Sequence, residues 1–384
     1  MTKLAWRRTW FQVHKWLGLL LAVLIVPICL TGSALVWHDA LEKIVEPQRY
    51  AVSGETLLAP DAYVAAATTR LKPGDRIAQL SFPDHRGPVT VAAAPEPEPA
   101  GAGAPRGGPP PRTLFFLDPP TAQVLEVGTN RGGLIQFLHV LHGSLQIPGG
   151  WGRSIVGWIG VAMMVSAFTG LWLWWPTIGR VRRGLRWARH PNTDTNIHQT
   201  FGFWVALPLF VLSLTGAWIS FPRFFGALAG PAPQAQRGPD RAALARARPL
   251  ERTKLDVTSA IARARATMPG KVAQVTWPTD RKADWSVRLQ PAEGPLATVS
   301  VADDGGVAAL APQQGGVARL MRRVHDGTDM GIVWQVIIFI GGIIPAVLAV
   351  TGIIMWWRAR GWKARLAEKR KLFGVAKRVS AGGR

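Results

Sequence analysis

A short phrase occurs twice in this chain, each time at the head of a long apolar run. Near the start it reads His14-Lys-Trp-Leu-Gly18 and runs on to Leu30-Thr31-Gly32. Later it reads His198-Gln-Thr-Phe-Gly202 and runs on to Leu214-Thr215-Gly216, with an offset of 184 residues at both ends. About 20 mostly apolar residues cross a bilayer, so the runs Trp16–Trp37 and Phe201–Phe221 predict membrane spans. Two more runs of that length, Ile155–Trp175 and Ile332–Trp357, end on a second matched pair, Thr169-Gly170-Leu-Trp-Leu-Trp-Trp and Thr351-Gly352-Ile-Ile-Met-Trp-Trp, at an offset of 182. His142 and His325 precede these runs and stand 183 apart. One histidine at the mouth of a membrane helix is an ordinary interfacial residue or cap. Four that keep the register of an internal repeat point to paired ligands.

The repeat sets the expected architecture: a membrane all-α four-helix bundle, made of two parallel repeats of helix, outer domain, helix, and carrying two small α+β modules outside. The expected segments are a cytoplasmic N-terminus and first span (1–37), a first outer module (38–150), a second span (151–176), a cytoplasmic loop (177–197), a third span (198–221), a second outer module (222–330), a fourth span (331–357) and a basic cytoplasmic tail (358–384). The first span is too long for the apolar part of a signal peptide, and a near copy recurs inside the chain.

A net charge of +22 invites a nucleic-acid reading. Its distribution argues against one. Lys3, Arg7, Arg8 and Lys15 flank the first span with no acid, and Arg180, Arg182, Arg183, Arg186 and Arg189 face Asp194 alone. Short basic flanks mark the cytoplasmic side. Both termini are thus expected in the cytoplasm, with the basic tail against anionic lipid. The single cysteine, Cys29, excludes a disulfide framework and any cluster ligated by cysteines of this chain.

Within the outer segments, Pro60–Leu71 and Val257–Thr267 read as helices. Arg76–Phe82, Pro88–Ala94, Thr113–Leu117, Gln123–Val127, Val272–Trp277, Trp285–Gln290, Ala297–Val301 and Val307–Leu310 read as strands. The motif Ala-Gln-Leu-Ser-Phe-Pro83 recurs as Ala-Gln-Val-Thr-Trp-Pro278. The Pro/Gly stretch Pro95–Pro111 and the linker Gly226–Leu250 are low-complexity.

The chemistry rests on histidine. His14 and His198 lie at the cytoplasmic ends of their spans, and His142 and His325 at the outer ends of theirs. Zinc usually adds further Cys, Asp or Glu ligands, which are scarce here. Copper fits imidazole, but no Met/Cys cluster accompanies it. Haem iron needs only two axial ligands, because the porphyrin supplies the other four. Gly18, Gly202, Gly32, Gly216, Gly170 and Gly352 would let a macrocycle lie against backbone, and Arg8, Arg153 and Arg223 would meet its propionates. His139, one turn before His142, and His38 are further candidates for cofactor binding. His85 and His190 read as loop residues. No phosphate-cradling loop, Gly-x-Ser-x-Gly, His-Glu-x-x-His or dinucleotide fingerprint is present.

These motifs, in this order, resemble the PepSY-associated transmembrane-helix family, whose members are often labelled iron-regulated membrane proteins or iron-uptake factors. The resemblance runs over nearly the whole chain. It implies four spans, two periplasmic PepSY-like modules and haem b. With the repeated histidines at two membrane levels, two haems are expected, His14 paired to His198 and His142 to His325, as the symmetry of the repeat suggests. It also implies an oxidoreductase of the bacterial inner membrane, a ferric-siderophore reductase of the FoxB type. The expected partners are a ferric siderophore, the lipid bilayer and an electron donor, either quinol or a cytoplasmic reductase, with no nucleic acid. The alternatives are a non-enzymatic, partner-binding regulatory membrane protein and a transporter of the siderophore itself.

Overall fold

A computed structural model describes residues 2–96, 111–175, 186–187, 189–228, 247–306, 309–310 and 316–381. The loop arginines 180, 182 and 183, most of the Pro/Gly stretch 95–111 and most of the linker 226–250 lie outside the described residues. The chain divides into a helical unit (Met1–Val36, His139–Leu228 and Val317–Arg384) and a sheet unit (Trp37–Leu138 and Ala229–Gly316). The stretches that carry His142 and His325 therefore group with the helices, not with the sheet.

In the helical unit, among the described residues, four helices are long and apolar enough to cross a membrane. They are α1 (Lys3–Val36), α5 (Trp151–Trp174), α6 (Thr193–Ser220) and α10 (Gly331–Ala381). Contacts run from α1 to α5, from α5 to α6, from α6 to α10 and from α10 back to α1. Three shorter helices complete the unit: α4 (Gly133–Ser144), which begins in the sheet unit, α7 (Pro222–Leu228) and α9 (Val317–Asp326). Two helices outrun the apolar stretches that predict them. The first begins at Lys3, not Trp16, and the last continues past Trp357 to Ala381. Hydropathy marks only what can sit in lipid. The backbone ladder continues wherever good helix formers follow, and Arg358–Ala381, rich in Ala, Lys, Arg and Leu and without proline, supplies them. Between the helices, Ile25, Ile28, Cys29, Ile159, Met163 and Ala346 form a buried apolar cluster.

The sheet unit departs from the expectation of two separate modules. It carries α2 (His38–Val45), α3 (Pro60–Thr68), α8 (Val257–Thr267) and one eight-stranded antiparallel sheet in the order β4-β3-β2-β1-β5-β6-β7-β8. The first four strands are β1 (Arg76–Ser81), β2 (Val89–Ala94), β3 (Thr113–Leu117) and β4 (Val124–Thr129). The second four are β5 (Lys271–Thr276), β6 (Asp284–Gln290), β7 (Ala297–Ala302) and β8 (Ala309–Leu310). The seam joins the two recurring motifs. Leu80 pairs with Val275, its own equivalent in the repeat, while Gln79 pairs with Thr276 and Ser81 with Gln274. Phe82 N donates to Ala273 O and Trp277 N to Ala78 O, which are again equivalent positions. Each half alone would leave this strand as an open edge, and edge strands pair. One core then serves both halves, with Tyr63, Leu80, Phe115, Trp285 and Val299 in a single buried cluster.

Each half anchors that core with a buried aspartate after its third strand. Asp118 accepts from Ser53 N and Oγ and from Thr121 Oγ1. Asp303 accepts from Lys254 N, Leu255 N and Trp285 Nε1, the last at 2.9 Å. Replacing Asp303 strands the buried Trp285 Nε1 donor and frees two half-buried backbone N–H groups. Asp303→Ala is therefore expected to destabilise the sheet unit by about 1–3 kcal/mol. The readout is an earlier urea transition followed by tryptophan fluorescence in the full chain. An unchanged midpoint would remove this carboxylate from the account of the core.

Candidate functional site

The four repeat-related histidines meet in two pairs inside the helical unit. His14 on α1 and His198 on α6 have ring centroids 6.3 Å apart. His142 on α4 and His325 on α9 have centroids 6.0 Å apart. His14 lies three turns inside α1, not at its mouth, because the helix starts at Lys3. Seventeen residues separate His14 from Thr31, which touches His142, and the same number separate His198 from Thr215, which touches His325. At 1.5 Å per residue the two pairs thus stand roughly 25 Å apart along the helices.

Each imidazole is held in the same way by a Thr-Gly step on the neighbouring helix. His14 Nδ1 lies 3.1 Å from both Ser166 O and Thr169 Oγ1. His325 Nδ1 lies 3.1 Å from Leu212 O and from Thr215 Oγ1. His142 Nδ1 lies 2.8 Å from Ile28 O and 3.5 Å from Thr31 Oγ1. His198 Nδ1 lies 3.0 Å from Thr351 Oγ1 and bonds the backbone of Leu348. In every case the carbonyl belongs to residue i, the threonine is i+3 and the glycine is i+4. The threonine hydroxyls donate back to carbonyls of their own helix, as Thr31 does to Pro27 O and Thr351 to Val347 O. Their lone pairs are left to accept. A carbonyl and an accepting hydroxyl both require a hydrogen on Nδ1, so Nε2 carries the free lone pair. Where histidines ligate a metal, hydrogen bonds of this kind fix tautomer and ring direction.

The glycines make room for the rings. A Cβ on Gly32 would stand 2.7 Å from His142 Cε1, one on Gly170 3.0 Å from His14 Cε1, and one on Gly216 3.0 Å from His325 Cε1. On Gly352 the distance to His198 Cε1 is 3.5 Å. This corrects the expectation that all six glycines face a macrocycle: these four face imidazoles. Gly18 has nothing within 4 Å of such a Cβ, and Gly202 has only Leu348 at 3.8 Å. Both line a cavity of about 690 Å³, with His14, His198, Arg7 and Arg8. That volume lies within the range of cofactor pockets, and the lining is mostly apolar.

The chemistry of this donor set fits haem. Two imidazoles bound at about 2 Å to one metal, each with its ring centre about 1 Å further out, have centroids about 6 Å apart. Both pairs have that separation. Among the described residues no group of three or more His, Cys, Asp or Glu converges to hold a bare ion. A pair of histidines suffices only where another molecule supplies the remaining ligands, as a porphyrin does. Burial pushes the His325 imidazole down to about 4, with His142 beside it a smaller cause, and burial likewise lowers His142. Both rings are then neutral at neutral pH, the form that ligates.

The remaining candidates stand apart. His139 is exposed one turn before His142, and His38 is exposed at the start of α2 with Asp39 at 3.2 Å; neither belongs to the two pairs. Arg153 donates to Ile219 O. Arg8 lines the cavity. Arg223 is exposed on α7. His190 reaches Gln199, a cavity residue, at 2.9 Å. The threonines were missed in the sequence, although four Thr-Gly steps for four repeated histidines were in plain view.

No curated protein sequence matches the chain. The family model of the PepSY-associated TM region matches residues 11–359, a stretch that takes in all four histidines and all four Thr-Gly steps, and the chain belongs to that family.

Proposed function

We propose that the protein is a di-haem electron carrier of the bacterial inner membrane that reduces a ferric siderophore at the periplasmic face and so frees its iron. One observation carries the reading: four half-buried imidazoles form two pairs, each ring with Nδ1 engaged and Nε2 free. Haem b held by such pairs would supply a one-electron couple. His14 and His198 hold the donor end, next to the basic flanks. Arg7 binds the carbonyls of Leu173 and Trp175, and Arg358 binds Asp194 and Thr195, so the charged ends of all four long helices lie near this pair. By the positive-inside rule that end is cytoplasmic. The donor is quinol or a cytoplasmic reductase. His142 and His325 hold the opposite, substrate end. There each Fe(III) accepts one electron and becomes Fe(II), which hard oxygen ligands bind less well.

The transporter alternative needs a path between the two levels. The cluster of Ile25, Ile28, Cys29, Ile159, Met163 and Ala346 packs there instead, which suits an apolar spacer between two redox centres. The regulatory alternative gives four oriented imidazoles no task. The purified full chain is expected to show low-spin Soret and α bands for two haems, to be reduced by dithionite and to be reoxidised by a ferric hydroxamate with Fe(II) released. A colourless protein that gains no colour on adding haem would sink this reading.

A further inference from the structure

Trp174, a residue of the cavity at His14 and His198, is 5% exposed and carries a buried hydrogen-bond donor, Nε1, with no acceptor among the described residues. A buried indole N–H without a partner costs about as much as a lost hydrogen bond, and Tyr and Trp normally find one. The ring itself is well placed: it stacks on Phe203 with centroids 4.1 Å apart. Phenylalanine would fill that stack without the unmet donor. Arg7 fixes the backbone on both sides, donating to Leu173 O at 2.5 Å and Trp175 O at 3.2 Å. Trp356, at the equivalent place in the second repeat, is only half-buried and has Arg360 over its face, 5.6 Å from the ring centre. The donor is therefore a feature of one repeat.

We propose that Trp174 Nε1 donates to a carboxylate of the tetrapyrrole held between His14 and His198, with Arg8 on the same wall as its countercharge. The proposal rests on the haem reading above. Position supports it. Trp174 is one turn beyond Gly170, which touches His14, or about 6 Å along α5. Arg8 lies six residues before His14 on α1, so both point groups stand on the basic-flank side of the histidine pair. A carboxylate on that side gains a charge-assisted hydrogen bond and keeps the rest of the ring in the apolar part of the cavity. The same contact sets which way round the ring enters.

Reconstitution of the cofactor-stripped full chain tests this by Soret titration, using haem and haem dimethyl ester, whose carboxylates are blocked. In the unsubstituted protein one of two equivalents is expected to bind the ester about ten- to a hundredfold more weakly than haem. Trp174→Phe should weaken haem at that equivalent by a similar factor and leave the ester nearly unchanged. The other equivalent stays as before and serves as an internal check on folding. Equal binding of haem and ester in the unsubstituted protein, or equal losses for both in Trp174→Phe, overturns the assignment and leaves the haem reading standing. If neither form binds to the unsubstituted protein, both fall.

Discussion

His142→Ala is expected to leave the purified protein with one haem equivalent in place of two. The half-buried His142 ring lies against Ile28 O and Gly32, and on the proposed di-haem reading His325 is the facing ligand of the same pair. Alanine leaves that pair one ligand short. His14 and His198 stand seventeen residues away along α1 and α6 and share no side chain with the lost ligand, so their site should be untouched, as distant sites usually are. Reduction of a ferric siderophore should fall by orders of magnitude while dithionite still reduces the remaining haem. His325→Ala should give the same result, and the double variant should be no worse than either single one, because two ligands of one centre act as a unit. His14→Ala and His198→Ala should remove the other haem. His139→Ala should retain both, since its ring is exposed and outside the pairs. Pigment counting by pyridine haemochrome decides the matter. Two haems in His142→Ala would dissolve the pairing.

Much of this arrangement is legible in the sequence because a repeat reports long-range relations that local patterns do not. The match of His14 to His198 and of His142 to His325 predicts which imidazoles share a level. It does not say what orients them. That depends on the Thr-Gly step of a neighbouring helix, a contact across 152–155 residues for His14 and 110–113 for His325. Small residues in membrane helices have a ready alternative explanation in helix packing, which hides this role. Element positions were readable to within a few residues from periodicity and turns: Thr113–Leu117 forms as a strand and Val257–Thr267 as a helix, as the pattern predicts. The joining of the two halves was not, although the recurring motif marks the seam. Alternation shows which face of a strand is buried and is silent on which neighbour its edge takes. Helix limits failed at Lys3 and beyond Trp357 because polarity ends a membrane span but does not end a helix.

The second large effect concerns the glycines, where a single added methyl group separates two roles. Gly32→Ala places a Cβ 2.7 Å from His142 Cε1, closer than real Cβ atoms come, while Ile28 O, one turn earlier on the same helix, holds the imidazole by its Nδ1. The ring must move, and on the proposed di-haem reading a ligating imidazole would have little freedom to do so. Loss of the outer haem, or a change from low to high spin at that site, is expected. Gly170→Ala and Gly216→Ala, at 3.0 Å, should weaken ligation by His14 and His325 respectively. Gly352→Ala, at 3.5 Å, is ordinary contact and should be tolerated. Thr169→Val is the polar counterpart. It keeps the shape but removes one acceptor for His14 Nδ1, and losses of about 10–100-fold in affinity are typical when such a partner of a metal-bound histidine is removed. Gly18→Ala behaves differently if the cavity holds a flat ring. Nothing of the protein lies within 4 Å of its Cβ, so the cofactor-free fold should be unaffected. Gly18 nevertheless lines the cavity beside His14, and the methyl group would stand in the space a macrocycle needs. Haem affinity should therefore fall at the His14–His198 site with no loss of thermal stability in the stripped protein. A Gly18→Ala protein that binds both haems as tightly as its parent would place the ring elsewhere in the cavity. Gly202→Ala then becomes the deciding variant, since it bears on the same space from α6.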